Sequence, residues 1–423
     1  MWSLTRFYSN PVARGIWLYA KEQLSMIGFN KALDIILREI EPLDIIEVSL
    51  SQAFGMVLAE DVCSDMDIPP FDKSAMDGYA VRSCDLVDAP ATLSVLATVA
   101  AGSTHRGAAG KGQCVRIMTG APVPEGFDAV VMFEETEERE GKALFTRKVK
   151  QGQNICARGE DVKAGERVLV RGSIIQGPEI AVLASVGHVR CRVYRRPVVS
   201  VLPTGSEIVE PDEAVGKGMI RNSNGPMLTG LAASLGMDVR YLGIGNDREE
   251  ELRELIEAGM KTDMLLISGG VSMGDYDLVP AMLRACGADI KLHRVRIKPG
   301  KPLLFAKSGG CVIVGIPGNP VSNFTTFNVF IKPALYRMMG RSVYAPRFVD
   351  ARLAHAVEKK GKRTHLMPSM YRLEKGVYEV TTLKLNGSAD IIGCAGCNCL
   401  LFVDEGEQNL GRGDKVPILL IDG

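Results

Sequence analysis

Five short loops between Pro203 and Ser322 gather the residue types with which a protein handles polyanions. Pro203-Thr204-Gly205-Ser206-Glu207 offers hydroxyls and amides to an anion and a carboxylate to a cation. Gly245-Asn246-Asp247 sets Asp247 ahead of an expected helix; Asp247-Arg248-Glu249-Glu250 also fits an N-terminal capping box, so a capping role and a site role both stand. The run Ser268-Gly269-Gly270-Val271-Ser272-Met273-Gly274-Asp275-Tyr276-Asp277 has the paired glycines that let backbone amides approach a phosphate. It lacks the Gly-Lys-Ser/Thr ending of a P-loop, and its interest lies in the two serines and trailing carboxylates. Lys298-Pro299-Gly300-Lys301-Pro302 fixes two lysines on a stiff turn, with Arg294 and Arg296 just upstream. Gly315-Ile316-Pro317-Gly318-Asn319-Pro320-Val321-Ser322 runs from a strand into a helix whose first amides suit an anion.

What must position these loops is an alternation of elements beginning at Pro197. Apolar strand candidates (Val198–Leu202, Val239–Ile244, Met264–Ile267, Leu292–Ile297, Cys311–Ile316) alternate with helix candidates (Met227–Leu235, Arg248–Met260, Leu278–Ala285, Val321–Met338). That grammar predicts a doubly wound α/β domain with a parallel sheet. Ligands of such sheets bind beyond the carboxyl ends of the strands, where all five loops fall. Together they describe a pocket for a nucleotide-like polyanion, with a divalent metal held by Asp or Glu.

Upstream, Phe29, Ala32, Leu33, Ile35, Ile36 and Ile40 recur at helical spacing until Pro42, and Leu50–Ala59 reads as a second helix. A strand-rich stretch from Asp61 to Val170 follows, with a hairpin expected between Ala129–Phe133 and Ala143–Val149 around Glu140-Gly141; the glutamates at its tip read as a solvated face. Two stiffened loops there, Pro69–Ala80 and Arg116–Pro124, carry Asp77 and Thr119 at polar tips. Residues 162–195 read as a connector with turns at Gly172 and Gly177-Pro178. After Gly340 short strands return, with a hairpin turn at Lys375-Gly376.

Length and composition bound the function. The 423 residues allow about three domains at roughly 150 residues each. Fifty Lys+Arg against fifty Asp+Glu argues against a nucleic-acid protein held by bulk charge, and no apolar run approaches the ~18 residues of a membrane helix. The ten cysteines are mostly isolated among apolar neighbours, as buried thiols of a reducing compartment are, so cytoplasm is the default location. Cys394-x-x-Cys397-x-Cys399 has no partner pair and reads as buried small residues rather than a metal site. Only five histidines occur, none in the loops above, and neither a Ser-His triad nor a His-ligated metal is supported. Residues 1–25 read as an extension, with a tail, an upstream start or an organellar leader as the alternatives.

The motifs PPFDKSAMDGYAV, RIMTGAPVPEGFDAVV, ARGEDVKAGE, PTGSEIV, SGGVSMGDYD, IKPGKPLLFA and GIPGNPVSNF, in that order, resemble those of the MoeA family and the homologous gephyrin E domain over residues 26–423. The resemblance implies a multidomain α/β plus β protein: an N-terminal extension (1–25), a split linking domain (26–62 and 162–195), an inserted β-rich domain (63–161), a MogA-like α/β molybdopterin-binding domain (196–345) and a C-terminal β-barrel (346–423). It implies a homodimer whose cleft lies between the α/β domain of one copy and the inserted domain of the other. It implies insertion of molybdate into adenylylated molybdopterin with release of AMP, and exchange with a MogA-type adenylyltransferase and molybdoenzyme maturation factors. Carried onto this chain, the catalytic candidates are Asp77, Thr119, Asp161, Glu207, Lys298 and Lys301. The binding candidates are Thr204, Gly205, Ser268, Gly269, Gly270, Ser272, Arg296, Pro317, Pro320 and Ser322. Asp247 and Asp277 are the Mg²⁺ candidates, with Asp275 competing. Molybdate, a tetrahedral dianion, suits Arg296, Lys298, Ser322 and helix-start amides. The alternatives are a MogA-like adenylyltransferase, a tungstate-preferring paralogue and a non-enzymatic scaffold. The segment from Asn386 to Cys399 resembles the family's Ser-rich segment but carries extra thiols.

Overall fold

The computed structural model describes residues 26–271, 278–407 and 409–421. The expectations for residues 1–25, Ser272, Asp275 and Asp277 lie outside them. The chain divides into two compact units. One holds the described residues up to Ile46, Gly55–Ala59, and those from Arg192 onward; the other holds Glu47–Phe54 and Glu60–Cys191.

The second unit is built on a six-stranded sheet in the order Ala129–Met132, Gly78–Val81, Gln113–Ile117, Ala91–Val99, Lys142–Phe145, Thr136–Arg139. Alternation along its strands fills two cores. Tyr79, Leu93, Cys114 and Phe145 pack on one face, and Ala80, Val115, Ile117 and Val130 on the other. The expected hairpin is corrected. Glu140 and Gly141 do make a turn with positive φ, but it joins Lys142–Phe145 to Thr136–Arg139. A 3₁₀ turn at Phe133–Glu135 ends the earlier strand, and Ala129–Met132 pairs with Gly78–Val81 instead. Gly177-Pro178 opens the helix Gly177–Ser185 rather than a turn, because proline in a first turn forfeits no helical bond and Gln176 with Glu179 closes a capping box.

In the first unit the amphipathic helix Phe29–Arg38 buries Phe29, Ala32, Ile36 and Leu37, with the Phe29 ring 5.4 Å from Phe330 and 5.5 Å from Phe402. The second expected helix is absent. Leu50–Gln52, which belongs to the other unit, is one 3₁₀ turn and Val57–Leu58 a short strand, with Gly55 at φ 76° between them along the chain.

The α/β domain is a six-stranded sheet in the order Asp238–Tyr241, Val198–Pro203, Met264–Ser268, Cys311–Ile316, Leu304–Ser308, Asp289–His293. The first four run parallel; Leu304–Ser308 runs antiparallel to both its neighbours, so the wholly parallel sheet is corrected to a mixed one. The helices Asn224–Ser234, Glu249–Gly259 and Val279–Ala285 accompany it, and Pro320–Thr326 continues through a π turn into Lys332–Met338. Its core joins Leu202, Ile256, Leu265, Ile267, Leu283, Leu304 and Ile313. The expected strand Leu292–Ile297 breaks at Arg294, φ 80°, where Arg294 and Val295 donate to the Leu303 and Lys301 carbonyls at 2.8 and 2.9 Å.

The C-terminal strands Thr364–Glu374, Val377–Thr382, Phe348–Leu353, Lys415–Leu420 and Cys399–Val403 close on themselves, because Cys399–Val403 also pairs with Thr364–Glu374. The expected Lys375-Gly376 turn is there, both residues at positive φ. A parallel bridge of Ile297–Lys298 onto Thr364 and His365 stitches the α/β domain to this barrel. Cys114, Cys191, Cys311, Cys394 and Cys399 are buried as expected; Cys63 and Cys84 are exposed, which corrects that expectation for those two.

Candidate active site

At the carboxyl edge of the α/β sheet the backbone ties four loops together. Thr204, 5% exposed, donates its amide to the Ser268 carbonyl (2.8 Å), and Gly205 donates to Gly245 (3.1 Å). Gly269 donates to Ile316 at 3.0 Å. At Gly269 φ is 104°, and a Cβ would stand 2.3 Å from the Thr204 carbonyl oxygen, so this crossing admits glycine alone. Ser268 is buried and its Oγ accepts from Asn224 Nδ2 at 2.9 Å; the same Nδ2 reaches the Gly318 carbonyl at 2.6 Å. Asn224, which the sequence did not single out, therefore clamps the glycine loop to the Pro317–Ser322 loop.

Of the two roles open to Asp247, capping is not taken up. The following helix begins at Glu249 with Arg248 as N-cap and no side-chain cap bond. The Asp247 carboxylate instead accepts the Ser206 amide and hydroxyl at 3.1 and 3.0 Å. It joins the first and second loops at an exposed edge where Glu207 also lies. Among the described residues no group of three His, Cys, Asp or Glu is arranged to hold a metal. Mg²⁺ keeps most of its water and asks for only one or two carboxylates, and Asp247, with Oδ2 committed to Ser206, has Oδ1 that could serve as one.

The lysine loop opens onto a cleft of about 480 Å³ between the α/β domain and the barrel. Of the residues expected at the site, Lys298, Lys301, Pro317 and Ser322 line it. So do Arg363, His365 and Ser388 of the barrel domain, which the sequence reading missed. Pro320 begins the helix carrying Ser322. The expectation of free helix-start amides is corrected: Val321 donates to the Ser388 carbonyl (3.1 Å), and Ser322 and Asn323 to the Asn319 carbonyl (3.0 and 3.1 Å). Arg296 is not in the cleft lining; its Nε lies 3.2 Å from Glu405. The cleft's guanidinium is Arg363, whose Nη1 donates to the Ile297 carbonyl at 3.3 Å. Lys359, only 3% exposed, anchors the segment before it, donating to the carbonyls of Arg363 (3.2 Å), Glu405 (2.9 Å) and Asp404. Lys359, Lys360, Lys362 and Arg363 form a basic run that was the available signal.

Within the other unit Asp77 and Thr119 meet: the Thr119 amide and hydroxyl donate to Asp77 Oδ1 at 2.7 and 2.8 Å. Those bonds, amide first, hold the Asp77 carboxyl below the usual carboxylate range. Asp161 is exposed, its amide on the Ile68 carbonyl. Nearby Arg158 bridges Asp67 (Nε, 2.6 Å) and Asp72 (amide, 2.7 Å).

An α/β domain with glycine and lysine loops at its carboxyl edge, a barrel closing a cationic cleft beside them and a β-rich insertion with an Asp–Thr pair define a multidomain α/β plus β protein. Sequence signatures agree: the "MoeA N-terminal region (domain I and II)" matches residues 27–187, the "Probable molybdopterin binding domain" residues 200–337 and the "MoeA C-terminal region (domain IV)" residues 350–421. The molybdopterin molybdenumtransferases of Staphylococcus epidermidis and Staphylococcus aureus are each 34% identical over 406 residues, 95% of this chain and 97% of theirs. The crystal structure of the molybdopterin biosynthesis MoeA protein of Pyrococcus horikoshii OT3 superposes with a TM-score of 0.81 at 33% identity, covering 94% of this chain and all of that one. The chain belongs to the MoeA family of molybdopterin molybdenumtransferases.

Proposed function

We propose that this protein is a transferase of molybdenum cofactor biosynthesis that inserts molybdate into adenylylated molybdopterin and releases AMP. The cleft is the observation that carries the reading. Lys298, Lys301, Arg363, Ser322 and Ser388 line a space of about 480 Å³, with room for an oxyanion and part of a larger ligand beside it. A tetrahedral dianion needs several donors converging from different directions, and this wall supplies them from two domains. The Pro317–Ser322 loop links the cleft to the glycine loop through Asn224, so an oxyanion in the cleft and a phosphorylated pterin over Gly269 and Gly270 would share one edge. The dithiolene sulfurs that take the metal belong to the substrate, and none of the ten cysteines is required.

Lys298 and Lys301 would offset charge on the phosphoanhydride and on the oxyanion as they are brought together. Asp77, kept ionised by Thr119, and Asp161 belong to the proposal as carboxylates of the inserted domain acting within a homodimer. Mg²⁺ is part of it, held by Asp247 with Asp277, and would supply shielding of the phosphate charge. The adenylyltransferase that supplies the adenylylated pterin and the maturation factors that receive the product are the partners. A reducing cytoplasm suits the exposed thiols of Cys63 and Cys84. Among the described residues no helix is long and apolar enough to cross a membrane.

The test is one assay. Purified protein receives adenylylated molybdopterin, Mg²⁺ and either molybdate or tungstate, and AMP and pterin-bound metal are measured together. Oxyanion-dependent AMP release with metal on the dithiolene is the expected result, and the two rates name the preferred metal. Tight substrate binding with neither product would replace the enzyme by a scaffold.

A further inference from the structure

The cleft wall contains one buried base. His365 is 5% exposed, and its Nε2 is shielded from solvent with no hydrogen-bond partner among the described residues. The Lys360 backbone next to the ring favours a proton on it, and with Nε2 unpartnered the nitrogen that it serves is Nδ1. In the neutral ring Nε2 then carries a lone pair.

The charges around the ring are unevenly placed. Lys298 faces it from the Ile297–Lys298 strand, Lys359 and Arg363 from the segment before its own strand, and Lys301 lines the same cleft. The adjoining carboxylates are engaged. Asp404, just past the paired Cys399–Val403 strand, accepts from the Glu405 amide (2.8 Å) and the Thr364 hydroxyl (3.5 Å), and Glu405 takes Arg296 (3.2 Å). Burial first, then Lys298, Lys359 and Arg363, push the imidazole down to about 4.

We infer that oxyanion binding in this cleft is coupled to protonation of His365, so that the site takes up a molybdate-like dianion and a proton together. The inference rests on the cleft being the oxyanion site proposed above. A dianion beside Lys298 and Arg363 cancels the charge that bars a proton from the ring. Once protonated, the imidazolium adds its charge to the wall holding the anion. The coupling is reciprocal: whatever factor the anion adds to proton affinity, the proton adds to anion affinity. Affinity therefore falls as pH rises from the free ring's pKa, about 4, to that of the occupied ring, with a limiting slope of about tenfold per pH unit for one proton, and levels off above it.

Titration calorimetry of the full-length protein with sodium molybdate tests this, in buffers of different ionisation heat and at pH values where molybdate is a simple dianion. The expected result is net proton uptake by the wild-type protein, with weaker binding at higher pH. His365→Gln and His365→Asn should bind molybdate with neither the uptake nor the slope. Wild-type binding without proton uptake, or unchanged uptake in a folded His365 variant, would overturn the coupling and leave the oxyanion site standing. Absence of molybdate binding to the wild type, or binding indifferent to Lys298→Ala, would overturn the site and the coupling together. If neither His365 variant folds, the wild-type proton count still tests the coupling, because binding without uptake overturns it.

Discussion

Replacing Lys359 by methionine removes the post on which one wall of the cleft is hung. The ammonium is buried and donates to the carbonyls of Arg363, Asp404 and Glu405. Methionine fills much of the same space and leaves those acceptors without a donor. At about 1–3 kcal/mol for each buried unsatisfied group, the gross loss is about 3–9 kcal/mol. Removing a buried charge returns several kcal/mol of desolvation, which brings the net loss to about 2–4 kcal/mol. For a unit of this size that is a fall of roughly 5–15 °C in its thermal midpoint. The function should suffer separately, because freeing the Arg363 carbonyl loosens the backbone that aims its guanidinium. Differential scanning calorimetry and molybdate titration on Lys359→Met and Lys359→Arg would read both effects. Arginine keeps the charge but cannot converge three donors from one atom, and should fall between the wild type and methionine. A midpoint within about 2 °C of wild type in Lys359→Met would refute the reasoning, since under 1 kcal/mol is too little for orphaned buried acceptors.

Gly269→Ala must move backbone, because its Cβ would meet the Thr204 carbonyl at 2.3 Å with φ at 104°; a loss of about 2–3 kcal/mol in denaturant unfolding and of AMP release is expected. Thr119→Val removes the hydroxyl bond from Asp77, so the Asp77 carboxyl rises toward its ordinary range and the acid limb of the pH–turnover profile shifts upward, with thermal stability unchanged. His365 stays neutral in the fold where the unfolded chain protonates it, so it contributes stability present above about pH 6.5 and lost as pH falls toward about 4. That contribution is at most about 3 kcal/mol, less where solvent screens the ring. Comparing pH-dependent unfolding of the wild type with His365→Gln reads it, the variant showing the flatter curve.

The strands with unbroken apolar runs were legible because burial on both faces leaves no other pattern: Val198–Pro203, Met264–Ser268 and Cys311–Ile316 lie within a residue of expectation. Leu304–Ser308 escaped because it follows the prolines of the lysine loop and ends in Lys307-Ser308, which together read as loop. Asp247 shows the limit of local pattern. Its neighbours spell a cap, yet its carboxylate goes to Ser206, on a loop far earlier in the chain. Arg363 and Ser388 were hidden for the same reason: only closure of the barrel against the Lys298–Pro302 loop gives them a common cavity with it. Arg296 and Arg363 carry the same charge in comparably basic runs, and Arg363 alone lines the cleft.

The short parallel ladder between Ile297–Lys298 and Thr364–His365, reinforced by the Thr364 amide on the Arg296 carbonyl at 3.0 Å, makes the two walls of the cleft parts of one hydrogen-bonded fabric. Parting the walls at that edge would break those backbone bonds. A cleft of about 480 Å³ held together at that edge would recognise an anion by its charge and by the tetrahedral placing of its oxygens rather than by a tight fit. Molybdate and tungstate are almost the same in both respects. Such a cleft would give the two oxyanions similar rates of AMP release, and the metal that reaches the pterin would then be chosen upstream, by whichever oxyanion the cell admits and concentrates.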